Sequence, residues 1–319
     1  MKIVFLGTPK FATPSLKKLL KTPWIEVLAV CTQTDKEAGR GKKLQEPPVK
    51  QFAKERGLNI LQSFKISKEP EVIEKIKNLK PDILITCAFG QILNQEILDL
   101  SPHGVINVHA SLLPKYRGAA PINWAILNGE KETGVSIMKT ELGLDTGPVL
   151  LTEQCPIDEN ETSIDLTKKL SIIGANVLIK ALDKIKNGEA KFISQDNSKA
   201  TKAPMLKKEL GKINWDSITW EIHNKIRGLQ PWPSAYTTYQ GKTIKIWECK
   251  IERNGETARR RDGKEEKLPG TIVEISECII VKTRNGYLNI YKLQPENKNI
   301  INSKDWVNGA HIQVGEQFI

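Results

Sequence analysis

The sequence predicts an α/β protein in which a Rossmann-like, mostly parallel sheet is followed by a small OB-like β-barrel. In the first 188 residues, short apolar runs alternate with stretches of helical periodicity, as in parallel sheets whose strands are joined by helices. After residue 206, a helical stretch precedes several short runs of β-branched and aromatic residues separated by turn residues. Such a succession is typical of a small antiparallel barrel.

The predicted elements of the first part follow from its apolar periodicity. Strands are expected where apolar runs are short and continuous, at residues 3–7, 26–32, 82–89 and 105–108. Helices are expected where apolar residues recur every three or four positions, at residues 14–20, 47–56, 68–79, 95–100 and 163–187. Thr162 or Ser163 is the candidate cap of the last helix.

The second part is predicted to contain one helix and five strands. The helix covers residues 217–229, and the strands cover 235–239, 243–252, 270–275, 279–283 and 287–293. Gln240-Gly241 and Asn285-Gly286 are typical hairpin turns. The polar stretch between the two parts lacks periodicity, so we expect a first domain over residues 1–188, a linker over 189–206 and a second domain over 207–319.

Composition excludes several classes of protein. No apolar run has the length of a membrane span, and the N-terminus is typical of a first strand, so we expect a cytoplasmic protein without membrane association. The five cysteines are scattered without a CxxC pair, which favours isolated buried thiols. With only four histidines and no HExxH pattern, we expect no metal.

The net charge of +11 suggests an anionic partner, and nucleic acid is the first candidate. A solvated, lysine-rich surface explains the charge equally well. The basic loop that includes Arg40, Lys42 and Lys43 lacks the spacing of a nucleotide-binding P-loop, so it is either a grip for RNA phosphate or a surface loop. The charged insertion at residues 253–267 favours a solvated loop over an RNA contact.

A polar pair interrupts a predicted buried strand. Asn107 and His109 are two residues apart, so their side chains project from the same face of that strand. Asp145 follows downstream in a loop bounded by glycines. Together these groups can catalyse acyl transfer without a covalent enzyme intermediate: the histidine moves a proton, the aspartate orients the histidine, and the asparagine stabilises a developing oxyanion.

The motif resembles that of the 10-formyltetrahydrofolate-dependent formyltransferases, on Asn107-x-His109, the following Ser111-Leu112-Leu113-Pro114-x-Tyr116-Arg117-Gly118, and Asp145. Four further segments resemble the branch of the family that acts on methionyl-tRNA, at residues 7–12, 38–43, 119–122 and 229–233. The resemblance extends over essentially the whole chain. It implies a Rossmann-like catalytic domain and an OB-like C-terminal domain.

The resemblance also implies substrates and their contacts. The formyl donor would be 10-formyltetrahydrofolate, and the acceptor would be initiator Met-tRNA, bound by a monomer without an obligate protein partner. The tetrahedral intermediate would be stabilised by Asn107, His109 and Asp145. Folate contacts would map to the region 141–145 and to two loops, with the residues Phe89, Gly90, Ile92, Leu93, Ser111, Leu112, Leu113 and Pro114. Arg40, Lys42 and Lys43 would contact the tRNA acceptor arm, and the C-terminal barrel would extend the basic surface.

Three alternatives remain open from the sequence. A formyltransferase acting on an amino-sugar nucleotide shares the Asn/His/Asp set, but the basic loop and basic second domain argue against it. A formyltetrahydrofolate hydrolase would leave that second domain without a purpose. A non-catalytic RNA-binding protein conflicts with the intact set of Asn107, His109 and Asp145.

Overall fold

The computed structural model describes residues 1–38, 43–252 and 267–319. The chain forms two units that interleave in sequence. The N-terminal unit comprises Met1–Pro121, Glu132–Cys155 and Thr167–Pro204, and the C-terminal unit comprises Ile122–Lys131, Pro156–Leu166 and Met205–Ile319. The division of the chain at residues 188 and 206 stays a prediction. Among the described residues, no helix is both long enough and apolar enough to cross a membrane.

Up to residue 203, the chain contains eleven strands and six α-helices among the described residues. The strands are β1 (Lys2–Gly7), β2 (Glu26–Gln33), β3 (Lys36–Ala38), β4 (Lys43–Gln45), β5 (Ile60–Ser63), β6 (Ile83–Cys87), β7 (Val105–His109), β8 (Arg117–Gly118), β9 (Glu132–Lys139), β10 (Val149–Pro156) and β11 (Lys202–Ala203). The helices are α1 (Thr13–Leu20), α2 (Pro48–Lys54), α3 (Pro70–Asn78), α4 (Gln95–Leu98), α5 (Pro121–Leu127) and α6 (Ser163–Lys186). A proline in the first turn, where no intrahelical donor is needed, begins α1, α2 and α3.

The main sheet has the strand order β10-β9-β7-β6-β1-β2-β5. The five strands from β7 to β5 are parallel, and β9 pairs with β7 in the antiparallel direction. The four strands predicted from apolar runs are all present at its centre. Because the chain leaves β1 for β2 on one side and later reaches β6 on the other, the carboxyl ends of β1 and β6 flank the crevice where such sheets bind ligands.

Three strands of this sheet were not expected from the sequence, namely β5, β9 and β10. Strand β9 is buried from residue 133 to 138 although it contains a glycine, a serine and a threonine. Its glycine, Gly134, has a reason to be there: a Cβ at this position would lie 2.2 Å from the Glu153 carbonyl oxygen of β10. The close approach of two strands, which periodicity does not reveal, therefore sets the residue type.

The C-terminal unit contains an antiparallel sheet with the order β12-β13-β16-β15-β14, to which β17 adds beside β16. Its elements are α7 (Thr219–Gly228), β12 (Ala235–Tyr239), β13 (Lys242–Ile251), β14 (Ile272–Ile275), β15 (Ile279–Lys282), β16 (Tyr287–Pro295), β17 (Ile301–Asn302) and α8 (Ser303–Ala310). The helix and the five strands predicted for this part are all present.

The last residues of the chain join the two edges of this sheet. Ile319 exchanges two backbone hydrogen bonds of 2.9 Å with Thr238 of β12. On the other side, Ile272 of β14 donates to the Glu316 carbonyl at 2.8 Å, and Phe318 donates to Gly270 at 3.0 Å. Both edge strands thereby gain partners, which is the means by which barrels avoid open edges. The predicted fold class, a mostly parallel α/β sheet followed by an antiparallel β domain, is confirmed.

Candidate active site

The candidate site lies in the N-terminal unit, at the carboxyl end of β7. Asn107 is the half-buried position of this otherwise buried strand, and His109 ends it. In the strand register, Thr86 of β6 is opposite Asn107, and Ser136 of β9 is opposite His109. The central position of β7 between β6 and β9 therefore fixes both predicted side chains on rigid, fully paired backbone.

The Asn107 amide is oriented by its neighbour on β6. Thr86 Oγ1 donates a hydrogen bond to Asn107 Oδ1 at 3.0 Å. Since Oδ1 is occupied as an acceptor, the NH₂ group is the end of the side chain that is left for another partner. Within the described part of the chain, Nδ2 makes no hydrogen bond. Asn107 thus offers a preoriented hydrogen-bond donor near the carboxyl end of β7.

His109 has both ring nitrogens directed at fixed protein groups, and its residue is 5% exposed. Its Nε2 lies 3.0 Å from the Tyr116 carbonyl oxygen. Because a carbonyl oxygen can only accept, Nε2 carries a proton and Nδ1 is the nitrogen that faces Asp145. The distance from Nδ1 to Asp145 Oδ2 is 3.7 Å, which is longer than a hydrogen bond but within ion-pair range.

Asp145 is held by the chain that follows the histidine. The Gly118 backbone N–H donates to Asp145 Oδ2 at 2.8 Å. Asp145 itself adopts a left-handed backbone conformation with φ of +52°. This conformation is uncommon for residues other than glycine and persists only where surrounding contacts impose it. The predicted catalytic set therefore comes together: Asn107 and His109 share one strand end, and Asp145 reaches His109 from its loop.

The residues predicted to contact folate after His109 form a tight turn. Ser111 Oγ donates to the Lys115 carbonyl at 2.6 Å. Ser136 Oγ donates to the Ser111 carbonyl at 2.7 Å and accepts from the Leu113 N–H at 3.0 Å. The turn is thus braced from β9, and Leu112, Leu113 and Pro114 are partly exposed beside the site. Their contact with folate stays a prediction.

The second loop predicted to contact folate follows β6. Phe89 and Leu93 are 3% and 5% exposed, and their side chains lie in the apolar core of the N-terminal unit. Ile92, in contrast, is 78% exposed. Gly90 has a φ of +76°, a conformation that glycine adopts at no steric cost. In this loop the backbone and the Ile92 side chain are therefore what a ligand can contact.

The predicted tRNA-binding residues are only partly described. Lys43 begins β4, which forms a two-stranded antiparallel ribbon with β3. Arg40 and Lys42 belong to the connection between these strands and lie outside the described residues, as does the charged insertion up to residue 266. Their contacts with tRNA stay a prediction.

Sequence reasoning missed the residues that orient the predicted catalytic set. Thr86 and Ser136 carry no motif of their own and are found only through the strand register. Gln195, which lies in the predicted linker, donates from Nε2 to the Asp145 carbonyl at 2.8 Å. No periodicity or spacing in that polar stretch pointed to it. Among the described residues, no cluster of histidine, cysteine, aspartate and glutamate could hold a metal ion.

Both parts of this chain match families of known proteins. Residues 1–182 match the formyl transferase family, and residues 205–311 match the formyl transferase C-terminal domain family. The methionyl-tRNA formyltransferase of Ruminiclostridium cellulolyticum is 44% identical over 318 residues, and 99% of each chain is covered. That of Caldanaerobacter subterraneus subsp. tengcongensis is 44% identical over 316 residues, with the same coverage. The chain belongs to the methionyl-tRNA formyltransferase family.

Membership in this family makes the chain an enzyme of the formyltransferase class, as the resemblance of its motif implied. Solved structures agree on the fold. The sugar 3N-formyltransferase WlaRD, crystallised in the presence of dTDP and 5-N-formyl-THF, superposes with a TM-score of 0.67 at 24% identity, covering 94% of this chain and 99% of that chain. An N-formyltransferase from Helicobacter canadensis, in complex with folinic acid and dTDP-3-aminofucose, gives 0.67 at 21% identity, with 91% and 98% covered.

Proposed function

We propose that this enzyme transfers a formyl group from 10-formyltetrahydrofolate to the α-amine of the methionine carried by initiator tRNA. The observation that carries the proposal is the meeting of Asn107, His109 and Asp145 at the end of β7. The name of its relatives, which match it over their full length, supports Met-tRNA as the acceptor. The product, formylmethionyl-tRNA, starts translation, and we therefore place the reaction in the cytoplasm, where charged tRNA and ribosomes meet.

The reaction exchanges one carbon–nitrogen bond for another. The neutral amine attacks the formyl carbon, a tetrahedral oxyanion forms, and the bond from that carbon to N10 of the folate then breaks. The amine loses one proton and N10 gains one. An α-amino group has a pKa near 8, so a minor but appreciable fraction of the amine, about one fifth, is neutral at physiological pH. The enzyme therefore needs to supply orientation, oxyanion stabilisation and a route for one proton.

Asn107 is suited to the oxyanion. Its NH₂ group is preoriented because Thr86 occupies Oδ1, so no reorganisation is needed when negative charge develops. A single well-placed donor of this kind stabilises a transition state by roughly 3–4 kcal/mol. Its half-buried position limits competition from water, which strengthens the interaction.

His109 and Asp145 are suited to the proton. The Tyr116 carbonyl fixes the proton on Nε2, so Nδ1 is the ring atom through which a proton can pass. The Asp145 carboxylate, whose side chain is 14% exposed, faces Nδ1 and compensates the positive charge that the ring gains. The same pair then returns a proton toward the leaving N10, directly or through an ordered water.

The surroundings of the set suit a pteridine ring. Ile92, Leu142 and Leu144 are 78%, 64% and 66% exposed, and they lie on the loops that the resemblance assigns to folate. Flat heteroaromatic ligands bind between such side chains, with a few backbone groups giving orientation. Folate supplies the activated formyl group, and these loops would hold it at the edge of β7.

The acceptor is a polyanion, and the chain is basic. The net charge of +11 favours association with tRNA phosphates. Arg40, Lys42 and Lys43 are proposed to grip the acceptor arm, and the C-terminal unit is proposed to extend the basic surface. Phosphate contacts give affinity and position without sequence information. We propose that one copy of the chain is sufficient for the reaction.

Two substitutions test the catalytic roles. Asn107→Ala removes the oxyanion donor, and Asp145→Asn keeps an acceptor for the Gly118 N–H while it removes the charge beside His109. We expect each to lower kcat by about 100-fold or more, with the unfolding temperature close to that of the wild type. Asn78→Ala, on an exposed position of α3, is the matched control. Near-native kcat in either catalytic variant would contradict the proposed mechanism.

A further inference from the structure

The segment from residue 193 to 203, predicted from sequence as part of a linker, runs alongside the catalytic motif. Ile193 exchanges backbone hydrogen bonds of 2.8 and 2.9 Å with Val149. Thr201 accepts from the Arg117 N–H at 2.9 Å with its carbonyl and from the Tyr116 N–H at 2.8 Å with Oγ1. At its end, β11 pairs in parallel with β8. The segment is therefore anchored on both the Asp145 side and the His109 side of the site.

Gln195 occupies the middle of this path, and its amide binds the loop that carries Asp145. Its Nε2 donates to the Asp145 carbonyl at 2.8 Å and to the Gly147 carbonyl at 2.6 Å. One acceptor belongs to Asp145, the left-handed residue of the loop with a φ of +52°, and the other lies two residues further along the loop. Such a conformation is held only where neighbouring groups impose it, and the two Gln195 hydrogen bonds impose it from the backbone side.

Arg117 fixes the orientation of that amide. Its Nε and Nη2 donate to Gln195 Oε1 at 3.0 and 2.8 Å, and Nη2 also donates to Asn197 Oδ1 at 2.8 Å. A guanidinium can only donate, so the Gln195 oxygen must face Arg117 and the NH₂ group must face the loop. The planar fork of arginine suits this paired contact, which a lysine could not reproduce.

Arg117 also lies one residue before Gly118, whose N–H holds the Asp145 carboxylate at 2.8 Å. The Asp145 loop is thus bound at its carboxylate by the backbone of Gly118 and at its carbonyl by Gln195, and Arg117 connects these two points. Only the carboxylate contact touches the catalytic group itself. The Gln195 contact acts on the backbone that sets where the carboxylate stands.

We propose that Gln195, held by Arg117, is a positioning residue for formyl transfer: it keeps the Asp145 carboxylate in place beside Nδ1 of His109. This inference rests on the formyl transfer proposed above. Gln195 would support the catalytic set from a position distant in sequence. The segment from residue 193 to 203, which carries no sequence motif, would then have a role in catalysis.

The test compares Gln195→Leu, which keeps the volume of the side chain but removes its hydrogen bonds, with Gln154→Leu, the same change at an exposed position of β10. We expect Gln195→Leu to lower kcat by about 10- to 100-fold, since small displacements of catalytic groups have effects of this size. The KM values for folate and for tRNA should stay within about twofold of the wild type. Gln154→Leu should leave all three unchanged.

Two readouts separate positioning from a merely structural role. The first is the split described above, in which kcat falls while both KM values stay close to those of the wild type. A double-mutant cycle with Arg117→Met should show that the second substitution adds little to the first, since both act through one amide. Losses that multiply, or KM values that rise as much as kcat falls, would overturn the proposal.

Hydrogen exchange makes the test independent of the assay. Backbone amides of residues 140–148 should exchange faster in Gln195→Leu than in the wild type, while exchange elsewhere in the N-terminal unit stays the same. If the wild-type chain fails to formylate Met-tRNA, the proposed function falls, and exchange still decides whether Gln195 braces the loop. Unchanged exchange with unchanged kcat would overturn the inference, as would faster exchange with unchanged kcat.

Discussion

At the scale of the residue, orientation by a neighbouring group distinguishes the proposed catalytic side chains from ordinary polar residues. Thr86 sets which end of the Asn107 amide is available, and the Tyr116 carbonyl sets which nitrogen of His109 carries a proton. Thr86 belongs to no motif, and Tyr116 belongs to the motif but acts through its backbone carbonyl, which residue identity does not reveal. The sequence therefore predicted which residues react, while the groups that orient them emerged only from the structure.

A histidine far from these groups in sequence makes stability depend on pH. His223 of the C-terminal unit is 1% exposed, and its Nε2 lies 3.1 Å from Asn160 Oδ1. Burial, with a smaller contribution from the Arg227 charge, lowers the pKa of His223 to about 4 from its usual 6.5. The unfolded chain binds this proton more tightly, so the folded state loses stability as the pH falls from 6.5 toward 4.

The expected effect is a loss of up to about 3 kcal/mol from the free energy of unfolding over that interval. His223→Gln should remove this part of the pH dependence, whereas His103→Gln, at an exposed position, should retain it. Urea unfolding followed by tryptophan fluorescence between pH 7 and pH 4.5 measures the difference. Equal acid sensitivity of the wild type and His223→Gln would show that this histidine is not responsible.

At the scale of the element, a strand could be predicted from the sequence only where its buried residues are apolar. Strands β1, β2, β6 and β7 were predicted because apolar runs buried on both faces are conspicuous. Strand β9 was missed because its buried positions include Thr133 and Ser136, which interrupt the apolar pattern. Ser136 is buried because its hydroxyl hydrogen-bonds the Ser111 carbonyl, a contact that only the fold reveals. Strand β11 was missed because two residues in a polar stretch carry no period.

The same limit applies to the site. A local motif predicted Asn107, His109 and Asp145, but Gln195 acts from 50 residues beyond Asp145, and only folding brings it there. In the loop after β6, by contrast, the motif named residues that a ligand cannot reach with their side chains. Phe89 and Leu93 were predicted to contact folate, but their side chains are buried in the apolar core. A motif identifies a segment, and burial decides which of its atoms can meet a ligand.

The connection between β3 and β4 carries the prediction on tRNA affinity. Arg40→Ala is expected to raise the KM for tRNA by about tenfold and that for folate by much less, because a charge-assisted contact with phosphate is lost. The dependence of tRNA binding on salt should weaken at the same time. Arg56→Ala is the matched control, since it removes the same charge from a side chain that lies over Phe52. An unchanged KM for tRNA would refute this role of the loop.

At the scale of the whole molecule, the two units have different hydrophobic cores. The N-terminal unit is built on a sheet whose central strands are buried, and the site lies where those strands end. The C-terminal unit packs Trp215 and Trp306 against Phe318, with ring centroids 5.7 and 6.1 Å apart. Phe318 is one of the last residues, so the tail that joins the sheet edges also completes this core.

The chain belongs to a formyltransferase family and carries a net charge of +11, which favours association with the phosphates of tRNA. The most direct test is formyl transfer from 10-formyltetrahydrofolate to initiator Met-tRNA, with elongator Met-tRNA as the control and Asn107→Ala as the inactive reference. We expect formylmethionyl product on the initiator and little on the elongator. Absence of product on initiator Met-tRNA, with formyl transfer to an amino-sugar nucleotide or to water instead, would contradict the proposed function.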